Sequence, residues 1–103
     1  MGSNLSADVQ IKSKPCQVVI DFTAAWCKPC QSMEPTLEEL ATKYKDICIV
    51  RIDVDELPDV AAEYGVQAMP TYLLMKKGNQ VDKVVGAKKA DLEMKIEKHW
   101  KSN

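Results

Sequence analysis

The sequence has 103 residues, the size of one domain with a single hydrophobic core. Its 14 lysine and arginine residues nearly balance 15 aspartate and glutamate residues, so the basic surface of a nucleic-acid-binding protein is not indicated. Four cysteines are too few for a disulfide scaffold, and no apolar run approaches the ~18 residues of a membrane span or forms a signal-peptide core. We therefore expect a protein of the reducing cytoplasm.

The first fifteen residues are polar and weakly patterned. We expect a flexible segment or a short helix over residues 1–15, and one domain over residues 16–103. The first six residues match the pattern for N-myristoylation of Gly2, but such short patterns recur by chance, and a cloning remnant or an ordinary start is the alternative. A single myristoyl chain would give only weak membrane association.

Two apolar runs separated by an amphipathic run come next. Gln17–Thr23 and Ile47–Asp53 are typical of strands that are buried on both faces. Between them, residues Met33 to Tyr44 carry apolar side chains at spacings of three and four, which predicts an amphipathic helix. Because this periodicity continues past Pro35, we expect a kink at that residue and not an end of the helix.

The second half of the chain contains a short helix, a hairpin and a closing helix. The short helix would be capped by Asp55 or Glu56 and would end at Gly65. The turn signal Lys77-Gly78-Asn79 predicts the hairpin. The predicted hairpin strands and the closing helix are Thr71–Lys76, Gln80–Val85 and residues 88–100, with Gly86 ending the sheet.

Cys27 and Cys30 form a Cys-x-x-Cys motif where the first strand gives way to the helix. Residues three apart in a first helical turn lie about 5–6 Å from each other, which suits a disulfide. Unpaired N–H groups and the positive end of the helix dipole favour a thiolate there. The other potential zinc ligands, Cys16, Cys48 and His99, form no second motif of this kind, so we expect no metal. The motif therefore points to the transfer of electrons between disulfides.

Several runs together resemble the thioredoxin family. The run Val18 to Cys30, the Ala-Met-Pro-Thr before the hairpin and the Asp-Lys-Val-Val-Gly-Ala at its end carry the resemblance, which is greatest to plant h-type cytosolic thioredoxins. The resemblance implies a thioredoxin fold of the α/β class, with a central mixed sheet of a βαβ unit plus a β-hairpin between helices. Only twenty residues precede Asp21, so we expect the N-terminal edge strand to be short or absent.

The resemblance also implies catalytic roles for three residues. Cys27, exposed at the helix N-terminus, would be the nucleophile, and the shielded Cys30 would resolve the mixed disulfide. Asp21 is the one charged residue in its apolar strand, and burial should raise its pKa. The matching aspartate in thioredoxins accepts the proton of the resolving cysteine through water. A structurally satisfied or partly hydrated Asp21 is the alternative.

A substrate-binding surface is implied around the motif. In thioredoxins the proline matching Pro70 is cis, and the backbone before it pairs with an extended substrate segment. Trp26 would lie on the exposed rim, although core packing is an alternative. Lys28 replaces the usual glycine or proline, and its charge would stabilise the Cys27 thiolate unless it is simply solvated. The predicted surface consists of Trp26, Lys28, Pro29, Met69, Pro70 and Gly86.

We predict a protein-disulfide reductase that works without a bound cofactor. Its electrons would come from NADPH-dependent thioredoxin reductase, or from glutathione and glutaredoxin, and its substrates would be proteins with disulfides. Two alternatives stay open: an oxidant or isomerase tuned by Lys28, and a non-enzymatic docking or chaperone-like module. Outside the motif, we expect Cys48 to be buried and inert, Cys16 to be a silent thiol, and His99 to offset a helix dipole.

Overall fold

Residues 17–100 are described by the computed structural model. Within them, the elements alternate as the sequence predicts, with strands before and after the first helical region and a hairpin before the last helix. The strands are β1 (Gln17–Thr23), β2 (Ile47–Asp53), β3 (Thr71–Lys76) and β4 (Asn79–Val85). The helices are α1 (Lys28–Ser32), α2 (Glu34–Lys43), α3 (Pro58–Glu63) and α4 (Lys89–His99).

The four strands form one mixed sheet in the order β2-β1-β3-β4. β1 and β2 are parallel, as a βαβ crossover requires, and each partner of β3 is antiparallel to it. The sheet therefore consists of a parallel pair with an added antiparallel hairpin, and the prediction of a mixed sheet is confirmed.

Both faces of the sheet are covered, which explains why β1 and β3 are almost continuously apolar. One face packs against α2 and α4, and the buried residues of this larger cluster include Val19, Leu37, Tyr72, Leu74, Leu92 and Ile96. The other face packs against α3, and its cluster includes Ile20, Phe22, Ile52, Ala61 and Leu73. Trp100, which directly follows α4, is also buried in the first cluster.

The helical region after the cysteine motif is interrupted where the sequence predicts only a kink. α1 ends at Ser32 and α2 begins at Glu34, with Met33 between them in a right-handed conformation. Pro35 lies in the first turn of α2. Since proline has no N–H to donate to the preceding turn, it fits a helix start better than a helix interior. The interruption therefore falls two residues before Pro35.

Two local predictions need correction. Neither Asp55 nor Glu56 caps α3, whose N-cap is Leu57 without a side-chain bond. Instead, Asp53 Oδ1 accepts the backbone N–H groups of both residues and closes the preceding turn. The hairpin turn is shorter than predicted, because β4 starts at Asn79 and not at Gln80. Gly78, within this turn, lies in the left-handed region at φ 82°.

The predictions about residues 1–15, Gly2, Cys16 and the N-terminal edge strand lie outside the described residues. Within residues 17–100, no helix is both long and apolar enough to cross a membrane.

Candidate active site

The cysteine motif is held at the junction between β1 and α1. The Cys27 N–H donates to Ala24 O at 3.1 Å and closes a turn directly after the strand. Cys27 is then the N-cap of α1, with extended backbone angles, and its Sγ accepts the N–H of Cys30 at 3.2 Å. The two residues form a disulfide across a Cα–Cα distance of 5.3 Å, within the range that the helical spacing predicts.

This disulfide is more enclosed than the sequence predicts. Cys27 is only 3% exposed and Cys30 4%, so the expected contrast between an exposed and a shielded sulfur is wrong for this oxidised form. Ala24 completes a small buried cluster with the two cysteines, and the half-buried side chains of Val54 and Met69 pack against it. The apolar surroundings come from loops distant in sequence, and no local pattern around the motif indicates them.

The residues that flank the motif point outward. Trp26 is 64% exposed, so the alternative of core packing is wrong, and its Nε1–H donates to Asp55 Oδ2 at 2.8 Å. Lys28 and Pro29 are also exposed, in the first turn of α1. A large exposed aromatic ring therefore lies beside the enclosed disulfide.

The loop before β3 also lies beside the motif, because Met69 packs against the cysteine cluster. The Met69–Pro70 peptide bond is cis, as the resemblance implies. The Gly86 N–H donates to Pro70 O at 2.8 Å, so the residue that ends β4 is bound directly to the cis-proline loop. At φ 103°, Gly86 adopts a conformation that glycine tolerates best. The structure therefore brings Met69, Pro70 and Gly86 to the same region as Cys27.

Asp21 is buried in the middle of β1, with 3% exposure. Burial raises the pKa of its carboxyl from 3.8 to about 6, and the negative charge of Glu34 adds to this rise. Arg51, opposite Asp21 on the parallel strand β2, opposes it through an ion pair with an Nε–Oδ2 distance of 3.4 Å. A carboxyl with a pKa near 6 can accept and release a proton close to neutral pH.

Two residues outside the motif differ from the sequence expectations. Cys48 on β2 is half-buried, so it is less enclosed than predicted. His99 was predicted only to offset a helix dipole, but it also contacts the neighbouring strand, because its Nε2 lies 2.9 Å from Asp82 Oδ2 on β4. Within residues 17–100, no three His, Cys, Asp or Glu side chains come together in a group that could hold a metal ion.

The sequence reasoning missed three partners of the predicted site residues. Arg51 pairs with Asp21, Asp55 binds Trp26, and Val54 packs against the disulfide. The sequence did carry a signal for Arg51. It is a charged residue in an apolar strand that runs parallel to β1, and aligning the two strands can place it opposite Asp21. The contacts of Asp55 and Val54 depend on the path of the loop after β2, which the periodicity of the sequence does not predict.

Comparison with known proteins gives a consistent result. The sequence model of the thioredoxin family matches residues 3–98. Thioredoxin H2 of Arabidopsis thaliana is 47% identical over 89 residues, which make up 86% of this chain and 67% of that protein. An H-type thioredoxin of Picea mariana is 54% identical over 79 residues, or 77% of this chain and 63% of that protein. The chain thus spans about two thirds of the length of these relatives.

Solved structures match over most of the chain. A thioredoxin of Nicotiana alata superposes with a TM-score of 0.83 at 54% identity, covering 89% of this chain and 80% of that one. The oxidised mitochondrial thioredoxin 3 of Saccharomyces cerevisiae gives a TM-score of 0.81 at 45% identity, covering 86% and 83%. Both the sequence and the architecture are therefore shared with this group.

Proposed function

The chain belongs to the thioredoxin family, and on this basis we propose that it reduces disulfides in other proteins through Cys27 and Cys30. The observation that carries the proposal is the disulfide itself, which closes the N-terminus of α1 between an exposed tryptophan and a cis-proline loop. A buried carboxyl lies on the strand that leads into this site.

The reduced protein would react in two exchange steps. In the first step, the Cys27 thiolate attacks one sulfur of a substrate disulfide, forming a mixed disulfide and releasing the other substrate sulfur as a thiolate. In the second step, the thiol of Cys30 loses its proton and attacks Cys27 Sγ. The intramolecular disulfide closes, and the second substrate sulfur leaves as a thiolate. Two electrons have then passed from the cysteine pair to the substrate.

The local geometry supports Cys27 as the attacking residue. Cys27 is the N-cap, and the Cys30 N–H points at its sulfur, so a thiolate at this position gains a hydrogen bond and the field of the helix N-terminus. Cys30 lies one turn further into the helix and would act as the resolving thiol. Asp21, with its pKa near 6, would accept the proton of Cys30 through a water molecule.

The exposed rim would bind the substrate polypeptide. An extended segment can pair with the backbone of Met69 beside the cis-proline, as in other cases of strand addition. Trp26, Pro29 and Gly86 would contribute the surrounding contacts, and Lys28 would contribute charge. The reducing partner would be an NADPH-dependent thioredoxin reductase, or glutathione with glutaredoxin, in the cytoplasm where h-type relatives are expected to act.

Insulin reduction in the presence of dithiothreitol tests the activity directly. The wild type should accelerate the precipitation of insulin chains, and Cys27→Ser should abolish the acceleration. If wild type and Cys27→Ser give the same rate, the chain is a binding module and not a reductase. The midpoint of a glutathione redox titration separates a reductant from an oxidant or isomerase tuned by Lys28.

Trapping tests the order of the two cysteines. Cys30→Ser should accumulate a mixed disulfide with substrate through Cys27, because the resolving thiol is missing. Cys27→Ser should accumulate none. Mass spectrometry of the trapped species identifies the bonded cysteine, and a mixed disulfide through Cys30 in the Cys27→Ser variant would contradict the assigned roles.

A further inference from the structure

The loop between β2 and α3, residues 54–57, forms one wall of the disulfide site. The Val54 N–H donates to Thr23 O at 2.9 Å at the end of β1, and the Val54 side chain packs against the cysteine cluster. At the next residue, Asp55 Oδ2 accepts the indole N–H of Trp26 at 2.8 Å. The loop is therefore fixed beside the motif by a backbone bond, an apolar contact and a side-chain bond.

Two large apolar side chains are exposed on this wall. Trp26 is 64% exposed, and Leu57, the N-cap residue of α3, is 41% exposed. The Leu57 N–H donates to Asp53 O at 2.9 Å, so this residue is held in the same turn of the chain as Asp55. Exposed apolar side chains that are grouped beside a reactive site are where a partner polypeptide can bury area.

The chain that builds this wall carries negative charge alone. Residues 52–75, which run from the end of β2 through α3 to β3, include five acidic residues and no lysine or arginine. The five are Asp53, Asp55, Glu56, Asp59 and Glu63. Within residues 17–100, no lysine, arginine or histidine forms an ion pair with any of them. Their charge is therefore free to attract a partner from solvent.

Four of these residues lie in or next to the loop that is bound to Trp26. Asp53 Oδ1 accepts the N–H groups of Asp55 at 2.8 Å and of Glu56 at 3.2 Å, so these three residues share one turn. Asp59 follows in the first turn of α3. Asp53 is half-buried, and the other three are exposed. We call these four residues the acidic surface.

Cations lie on other sides of the same site. Lys28 directly follows Cys27 and is exposed in α1, and the side chain of Lys88 lies alongside Gly86. A bound segment would therefore meet negative charge beside Trp26 and positive charge near α1 and Gly86. Complementary charges of this kind steer encounter and fix the orientation of a partner more than they add affinity.

We propose that the acidic surface, together with Trp26 and Leu57, selects protein substrates in which a basic and apolar segment lies on one side of the disulfide. The proposal rests on the proposed function, because it names the substrate class of the same site. Each exposed charge contributes modestly, so the selection depends on several carboxylates that act together.

Matched disulfide peptides test this selection. In one pair the residues N-terminal to the disulfide are lysine in one peptide and glutamate in the other, and a second pair carries these residues on the C-terminal side. At about 20 mM salt, the reduced protein should react about tenfold faster with the lysine peptide of the pair whose charged side meets Trp26. At about 0.5 M salt this ratio should approach one. Equal rate constants within both pairs at low salt would overturn the proposal.

Glu56→Lys reverses one charge of the acidic surface, and Glu39→Lys is the matched control. Only the backbone of Glu56 takes part in the bonds that fix the loop, so these bonds survive the substitution. Glu39 is exposed on α2, which covers the other face of the sheet from α3. Glu56→Lys should reduce the preference for the lysine peptide about fivefold, whereas Glu39→Lys should leave it unchanged. An equal loss in both variants, or none in Glu56→Lys, would contradict a local selection.

Leu57→Ser tests the apolar part of the surface. The variant should slow the reduction of both peptides of the responding pair by about threefold, because the same apolar contact is lost with each. Serine is a favourable N-cap residue, so α3 should be no less stable in this variant. Unchanged rate constants for both peptides would remove Leu57 from the surface and overturn that part of the proposal.

Binding without chemistry separates this proposal from the function on which it rests. The oxidised protein is titrated with the same peptides after serine has replaced both cysteines, and NMR follows the indole N–H of Trp26. The lysine peptide should shift this resonance more than the glutamate peptide at low salt. Equal shifts, or none with the lysine peptide, would overturn the proposal. If the wild type reduces neither insulin nor the disulfide peptides, the proposed function falls, while these shifts still decide whether the acidic surface attracts basic segments.

Discussion

Removal of the Asp21 carboxylate should stabilise the protein at neutral pH and have little effect in acid. The perturbation is Asp21→Asn in the oxidised protein, which has no redox thiols that titrate at the site. Asparagine keeps the size and polarity of the protonated acid, so the substitution removes chiefly the charge. The prediction is therefore a stability difference that depends on pH.

The size and sign follow from the pKa of Asp21. Burial raises the pKa of this carboxyl from 3.8, its ordinary value, to about 6 in the folded protein. Below pH 3.8 the carboxyl is protonated in both the folded and unfolded states, and it imposes no penalty. Between pH 4 and pH 6 the unfolded chain ionises first, so stability falls as the pH rises. Above pH 6 the loss is complete, and about two pKa units correspond to about 3 kcal/mol.

Urea denaturation of wild type and Asp21→Asn between pH 4 and pH 8 measures this dependence. The free energies of unfolding should nearly coincide at pH 4, and the variant should be more stable by about 3 kcal/mol at pH 8. Other carboxyls titrate in both proteins, so their contribution cancels in the difference. A difference that is constant across this range, or one that favours the wild type at pH 8, would refute the argument from burial.

Three further predictions concern single residues. Arg51→Gln removes the cation that holds the Asp21 carboxylate, so NMR titration should show the pKa of Asp21 above the wild-type value of about 6; a lower value would contradict the ion pair. Lys28→Gln removes an exposed cation next to Cys27. Because that cation favours the thiolate, its loss should raise the pKa of the Cys27 thiol in the reduced protein and lower the reduction potential by about 10–20 mV. An unchanged thiol titration would rule out the electrostatic role of Lys28. Gly78→Ala places a side chain at φ 82° in the hairpin turn and should reduce the free energy of unfolding by about 1 kcal/mol. A variant as stable as the wild type would contradict this.

The sequence by itself determined the order and type of the elements and the chemistry of the motif. Apolar runs such as Gln17–Thr23 can be recognised as buried strands because both faces must avoid water. The Cys-x-x-Cys spacing is a local property of one helical turn, so its ability to close a disulfide also follows from sequence. An aspartate inside an apolar strand predicts a raised pKa without knowledge of its neighbours, because desolvation is the largest contribution.

Only the tertiary structure decided which residues surround these groups. Arg51 and Tyr72 lie beside Asp21 because of strand order and register, which join positions 30 and 51 residues away along the chain. The near-complete burial of Cys27 likewise depends on Val54 and Met69, which arrive on two separate loops. Local patterns fix the path of each segment, whereas the pairing of distant segments depends on how the whole sheet and its helices pack together.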